Sequence, residues 1–87
     1  MQLISVSQSF DKRKQNSGIP LIDVRTPAEY GSNHANGAVN YPMESLDVDE
    51  IPFSKEQEIH VICQSGGRSM KVSQKLEAAG FTKIVNV

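Results

Sequence analysis

Apolar residues fall in short runs, and the stretches between them have a different rhythm. Residues 3–6 (LISV), 19–24 (IPLIDV), 38–41 (AVNY), 59–63 (IHVIC) and 83–87 (KIVNV) read as five strands. The second is apolar on both faces, as a strand inside a parallel sheet should be. Between the first two runs, Ser7 is placed to cap a polar helix over 8–16 that stops before Gly18. Thr26-Pro27-Ala28-Glu29 forms a capping box with proline at the first helical position, so a short helix starts there and ends near Gly31. Residues 44–50 predict irregular turns leading to Pro52. After the fourth strand a helix runs over 69–79; Val72, Leu76 and Ala79 make one apolar stripe, and Gly80 is its natural C-terminal stop. Strands alternating with helices predict an α/β fold.

At 87 residues the chain has room for one domain, taken as 1–87. No run reaches membrane-spanning length, and the start lacks the basic and apolar pattern of a secretory signal. Formal net charge is −1, which gives no reason to expect nucleic acid or an anionic membrane as partner. The distribution is uneven. Residues 44–58 carry six acidic side chains against Lys55, whereas residues 60–87 carry Arg68, Lys71, Lys75 and Lys83 against Glu77. A single cysteine forms no internal disulfide and no metal cluster, so neither metal nor cofactor is expected, and a reducing, cytoplasmic setting suits it.

That cysteine lies in the positive segment, in Cys63-Gln64-Ser65-Gly66-Gly67-Arg68-Ser69. On its own a lone cysteine reads as a small buried hydrophobe, and a Gly-Gly turn is common. Here a strand delivers Cys63 to its C-terminal edge, where open α/β sheets bind ligands. Two glycines let the loop curl its N–H groups inward into a nest for an anion. The helix that follows adds its positive dipole end. Such a cradle favours a thiolate, lowering a cysteine pKa from about 8.5 toward roughly 3.5–7.5. Arg68 adds a permanent charge and a planar fork suited to a sulfonate. His60 is three strand positions back and projects to the opposite face, so it is not the base.

These segments resemble the rhodanese-type sulfurtransferases. IHVICQSGGRS is similar to that family's C-x-x-G-x-R loop through Cys63, Gly66 and Arg68. LIDVRTPAEY resembles its D-V-R-x-x-x-E-[YF] segment through Asp23, Arg25, Glu29 and Tyr30, and HANGAVNYP its H-x-x-G-A-x-N-x-P segment through His34, Gly37, Ala38, Asn40 and Pro42. Asn33 and Ala35 depart from the usual Gly and Ile. The chain also stops at Val87, where members usually continue into a Gly-Gly turn and a last helix, so the domain reads as clipped.

The resemblance implies a three-layer domain, a five-stranded parallel sheet flanked by helices and lacking that last helix. It implies that Cys63 attacks the outer sulfur of a small anionic donor such as thiosulfate and passes the resulting persulfide sulfur to cyanide, a thiol or a partner protein. Gln64, Ser65, Gly66, Gly67, Arg68 and Ser69 would form the binding loop. Asp23 and Arg25 are expected as a buried pair, His34 as a tie for loop backbone, His60 as a half-buried strand residue, and Met70 as packing. Phosphatases and arsenate reductases on this fold need a C-x5-R loop, one residue longer than the C-x4-R here. A sulfur carrier or a docking module are the alternatives.

Overall fold

The structure is a computed structural model that describes residues 1–87. In chain order it comprises β1 (Gln2–Leu3), α1 (Val6–Gln15), β2 (Leu21–Asp23), α2 (Pro27–Ser32), β3 (Ala38–Asn40), β4 (Ile59–Ile62), α3 (Gly67–Ala78) and β5 (Ile84–Asn86). Single 3-10 turns cover Met43–Ser45 and Val48–Glu50, where the sequence predicts irregular turns. The strands form one sheet in the order β1-β5-β4-β2-β3, and every pairing is parallel.

The register aligns Asp23 of β2 with Ile62 of β4 and with Asn40 of β3. The C-terminal ends of these three strands therefore share one edge, and Cys63 sits just beyond it. Alternation along β4 sends Ile59, Val61 and Cys63 to one face and His60 to the other. On the first face they join Ile22 of β2 and Val24 just beyond it, Val72 and Leu76 of α3, and Leu46 and Ile51 from the long connection after β3. Each such aliphatic side chain contributes about 1.5–3 kcal/mol on full burial. On the second face α1 lies against His60 through Ser9. Helices thus cover both faces, as the resemblance implies.

Several boundaries and two burials differ from the sequence reading; β2, β3 and β5 are each shorter than the runs 19–24, 38–41 and 83–87. β1 is Gln2–Leu3, not 3–6, because the chain has already turned into α1 at Val6. Ser5 rather than Ser7 is the cap: its hydroxyl accepts the Gln8 N–H at 3.1 Å, and the Gln8 side chain accepts the Ser5 N–H at 2.8 Å. That reciprocal box satisfies two otherwise orphaned donors, which Ser7 does not achieve. β4 ends at Ile62, releasing Cys63 to the loop. α3 begins two residues early, at Gly67, because Gly66 takes the left-handed conformation (φ 87°) as its cap. His60, expected to be half-buried, is wholly enclosed. Ala79 is only partly buried at the rim of the apolar cluster, whose last place goes to Phe81. No helix is long and apolar enough to cross a membrane.

Candidate active site

β4 is clamped between β2 and β5, so its end is a rigid platform; the Val24 N–H bonds to the Ile62 carbonyl at 3.1 Å one residue before Cys63. The chain then reverses through Gln64, Ser65 and Gly66. The positive φ at Gly66 aims its N–H back at the cysteine, and Sγ accepts it at 3.0 Å. The first turn of α3 supplies the Ser69 N–H at 3.3 Å, and the Ser69 hydroxyl lies 3.4 Å from Sγ. Cys63 is 9% exposed and Ser69 fully buried.

Burial pushes the Cys63 thiol up, since a charged sulfur loses solvent. Hydrogen bonds from the Ser69 hydroxyl and from the Ser69, Gly66 and Ser65 N–H groups outweigh it, and the net direction is down. The site holds a thiol primed to ionise, with no histidine beside it.

The loop residues divide by position. Cys63, Gly66 and Ser69 meet at the sulfur. Gln64, Ser65 and Gly67 are exposed, and a Cβ added at Gly67 would meet nothing within 4 Å. Arg68 departs from expectation. Its fork does not stand free: the two terminal nitrogens donate to the two Glu29 carboxylate oxygens at 2.7 and 2.9 Å. Glu29 also accepts the Thr26 N–H and hydroxyl, both at 3.0 Å, as the α2 capping box predicts. Arg68 first, and then Thr26, hold the Glu29 carboxyl down to about 2. One carboxylate therefore ties the start of α2 to the start of α3. Of the other basic residues of α3, Lys75 reaches across to the Leu46 carbonyl at 3.4 Å, and Lys71 is exposed.

The neighbouring wall is the buried pair expected for Asp23 and Arg25. Arg25 bonds both Asp23 oxygens, at 2.8 Å for the shortest contact, and also donates to the Asn33 carbonyl at 2.6 Å. Asn40 fastens the same turn by donating to the Asp23 and Arg25 carbonyls. His34 ties backbone, with Nδ1 2.8 Å from the Tyr30 carbonyl oxygen and its ring stacked on Tyr30 at 3.7 Å. Met70 is half-buried. No group of three His, Cys, Asp or Glu side chains could hold a metal ion. In the sequence Glu29 reads as a helix cap and as a position of the D-V-R-x-x-x-E segment; its partner Arg68 stands 39 positions away, and no local signal joins the two.

The structure is thus a parallel α/β sheet that presents a thiol of lowered pKa in a backbone cradle at its C-terminal edge. The family model described as the rhodanese-like domain matches residues 6–87, and the chain belongs to that family. A rhodanese-like domain protein from Staphylococcus aureus shares its structure with a TM-score of 0.87 at 30% identity, over 100% of this chain and 84% of that one. Thiosulfate sulfurtransferase 16, chloroplastic, of Arabidopsis thaliana is 36% identical over 83 residues, covering 82% of this chain and 69% of its own. YrkF of Bacillus subtilis (strain 168), named as a candidate sulfur carrier protein, is 30% identical over 84 residues. The match takes in 97% of this chain but 45% of YrkF, so this chain spans less than half the length of that relative.

Proposed function

We propose that this domain is a sulfurtransferase that moves a sulfane sulfur from thiosulfate or a persulfide donor to a thiophilic acceptor through a persulfide on Cys63. The observation that carries the reading is the ring of donors around one lowered-pKa sulfur. In the first half-reaction Cys63 S⁻ attacks the outer sulfur of the donor. The donor's S–S bond breaks, and sulfite or a thiolate leaves with the electron pair. In the second, cyanide, a thiol or a partner protein takes the outer sulfur and the Cys63 thiolate returns, a two-step exchange with ping-pong kinetics. The loop from Gln64 to Ser69 serves as the binding cradle. Its inward N–H groups stabilise the anionic sulfur much as an oxyanion hole stabilises oxygen. The cytoplasm, a reducing compartment, suits a chemistry that depends on a free thiol.

Mass spectrometry after incubation with a sulfane-sulfur donor should show one added sulfur, lost on addition of cyanide. Cys63→Ser should fold normally and gain none. A folded Cys63→Ser protein that still transfers sulfur at the wild-type rate would refute the assignment. The second reading, a sulfur carrier or docking module without turnover of its own, draws on the likeness to YrkF. It is favoured if Cys63 loads once but releases sulfur only to a partner protein.

A further inference from the structure

We propose that the outer flank of α1, with the hollow beside it, is a docking site for an acidic amphipathic helix of a partner protein. A helix packed on a sheet usually buries its apolar stripe. α1 does the reverse. Ser9 is its one buried residue, seated 2.6 Å from His60, while Val6 is 56% and Phe10 44% exposed. Val6, Phe10 and Arg13 follow at i, i+4 and i+7, so they line one flank. A hollow of about 630 Å³ opens between that flank and Ala35 and Asn36, in the turn before β3. Arg13 ties the two walls together: a terminal nitrogen donates to the Asn36 carbonyl at 2.9 Å and its Nε to the Ser9 hydroxyl at 3.1 Å. Ala35, where the sequence departs from the usual Ile, keeps the second wall low.

The charge around the hollow selects the occupant. α1 carries Asp11 against Lys12, Arg13 and Lys14, and of these cations only Lys12 meets a carboxylate, that of Glu58. Lys14 lies over the Phe10 ring at 5.5 Å. An apolar recess with two unmatched cations on its rim is complementary to apolar side chains flanked by Asp or Glu. A helix offers that pattern, with apolar residues one turn apart entering the hollow. The concave shape, walled by the 35–36 turn, takes an inserted chain better than a flat bilayer. A second copy of this chain would bring like cations together. The site lies on the sheet face opposite Cys63, so a partner held there leaves the sulfur open to exchange. Docking involves no residue of the Cys63 loop and stands apart from the sulfur chemistry.

The test titrates the isotope-labelled chain with two synthetic helical peptides and follows the amide NMR shifts. Both carry leucines one turn apart, flanked by Glu in one and by Lys in the other. The Glu peptide should move the amides of α1 and of residues 35–36 and leave those of 63–69 in place. It should bind at least about tenfold tighter than the Lys peptide. Added salt should weaken it as the Debye length shrinks. Phe10→Ser, at an exposed position, should keep the fold and cost about tenfold in affinity. Ala35→Ile should fill the hollow, raise the thermal midpoint and block binding. Lys14→Glu should narrow the preference for the Glu peptide, and it decides if Phe10→Ser fails to fold. The alkylation rate of Cys63 should be the same in all three variants. Binding weaker than about 1 mM, equal binding of the two peptides, shifts centred on the Cys63 loop, or full affinity in Phe10→Ser overturns the inference. So does binding to anionic phospholipid vesicles in place of the peptide, or dimerisation that Phe10→Ser abolishes, since either names another occupant.

Discussion

Ser69 has one hydroxyl proton and two acceptors within reach: the Gly66 carbonyl at 3.1 Å and the sulfur of Cys63 at 3.4 Å. While Cys63 is a thiol, its S–H points at the Ser69 oxygen and the Ser69 proton rests on Gly66. When the sulfur ionises, the hydroxyl turns to it. The Gly66 carbonyl is not orphaned, because the Met70 N–H already bonds to it at 3.0 Å. The serine thus follows the charge without leaving an unpaired group behind. A hydrogen bond to a charged partner is worth about 1.5–3 kcal/mol, roughly ten- to a hundredfold in an equilibrium. Ser69→Ala should therefore raise the Cys63 pKa, read as a shift of the alkylation rate profile to higher pH, with alkylation at neutral pH slower by about tenfold or more. Cys63 and its loop were legible in the sequence because their chemistry is local, a cysteine at a strand end followed by glycines and a helix start. Glu29 as the partner of Arg68 was not, since only the adjacency of β2 and β4 brings two distant helix starts together.

At the level of elements, helix starts do much of the positioning. Ser5 and Gln8 close the first, Thr26 and Glu29 the second, and Gly66 opens the third without any side-chain cap. The second was readable because Pro27 and Glu29 fall in their preferred places. The first was misplaced by two residues because Ser5 and Ser7 both suit a cap, and only the position of Gln8 separates them. At the third, the left-handed backbone at Gly66 matters more than the glycine after it. Gly66→Ala forces a side chain into a conformation costing about 1–2 kcal/mol. In a domain of this size that lowers the thermal midpoint by several degrees, and it should blunt sulfur transfer by turning an N–H away from Sγ. Gly67→Ala has helical geometry and open space around the new methyl, so its thermal midpoint should hold or rise slightly. Melting curves of the two variants side by side check this. A shared loss would mean that the loop, and not the Gly66 backbone, is the sensitive feature.

Across the whole molecule, the face opposite the site is held by a buried polar chain. The Arg13 Nε donates to the Ser9 hydroxyl at 3.1 Å, Ser9 lies 2.6 Å from His60 Nδ1, and His60 Nε2 lies 2.7 Å from Glu58, which also meets Lys12 at 2.9 Å. Burial is the largest influence on His60 and holds its pKa below the ordinary 6.5, against the pull of Glu58 and with help from Lys12 and Arg13. The unfolded chain then takes up a proton before the folded one does. The stabilising contribution is complete above pH 6.5 and declines as pH falls below it. Thermal midpoints should drop between pH 7.5 and 5.5, with a slope no steeper than about 1.4 kcal/mol per pH unit, that of one proton. His60→Leu should flatten that slope.

The same sheet carries a temporal constraint. β1 has one partner in it, β5, with Gln2 opposite Val85 and Leu3 opposite Asn86. A growing chain on the ribosome thus makes β1 before the other strands of this sheet and must keep it unmatched until the strand that receives it has emerged. Leu3, 65% exposed even in the finished domain, stays open to other contacts throughout synthesis.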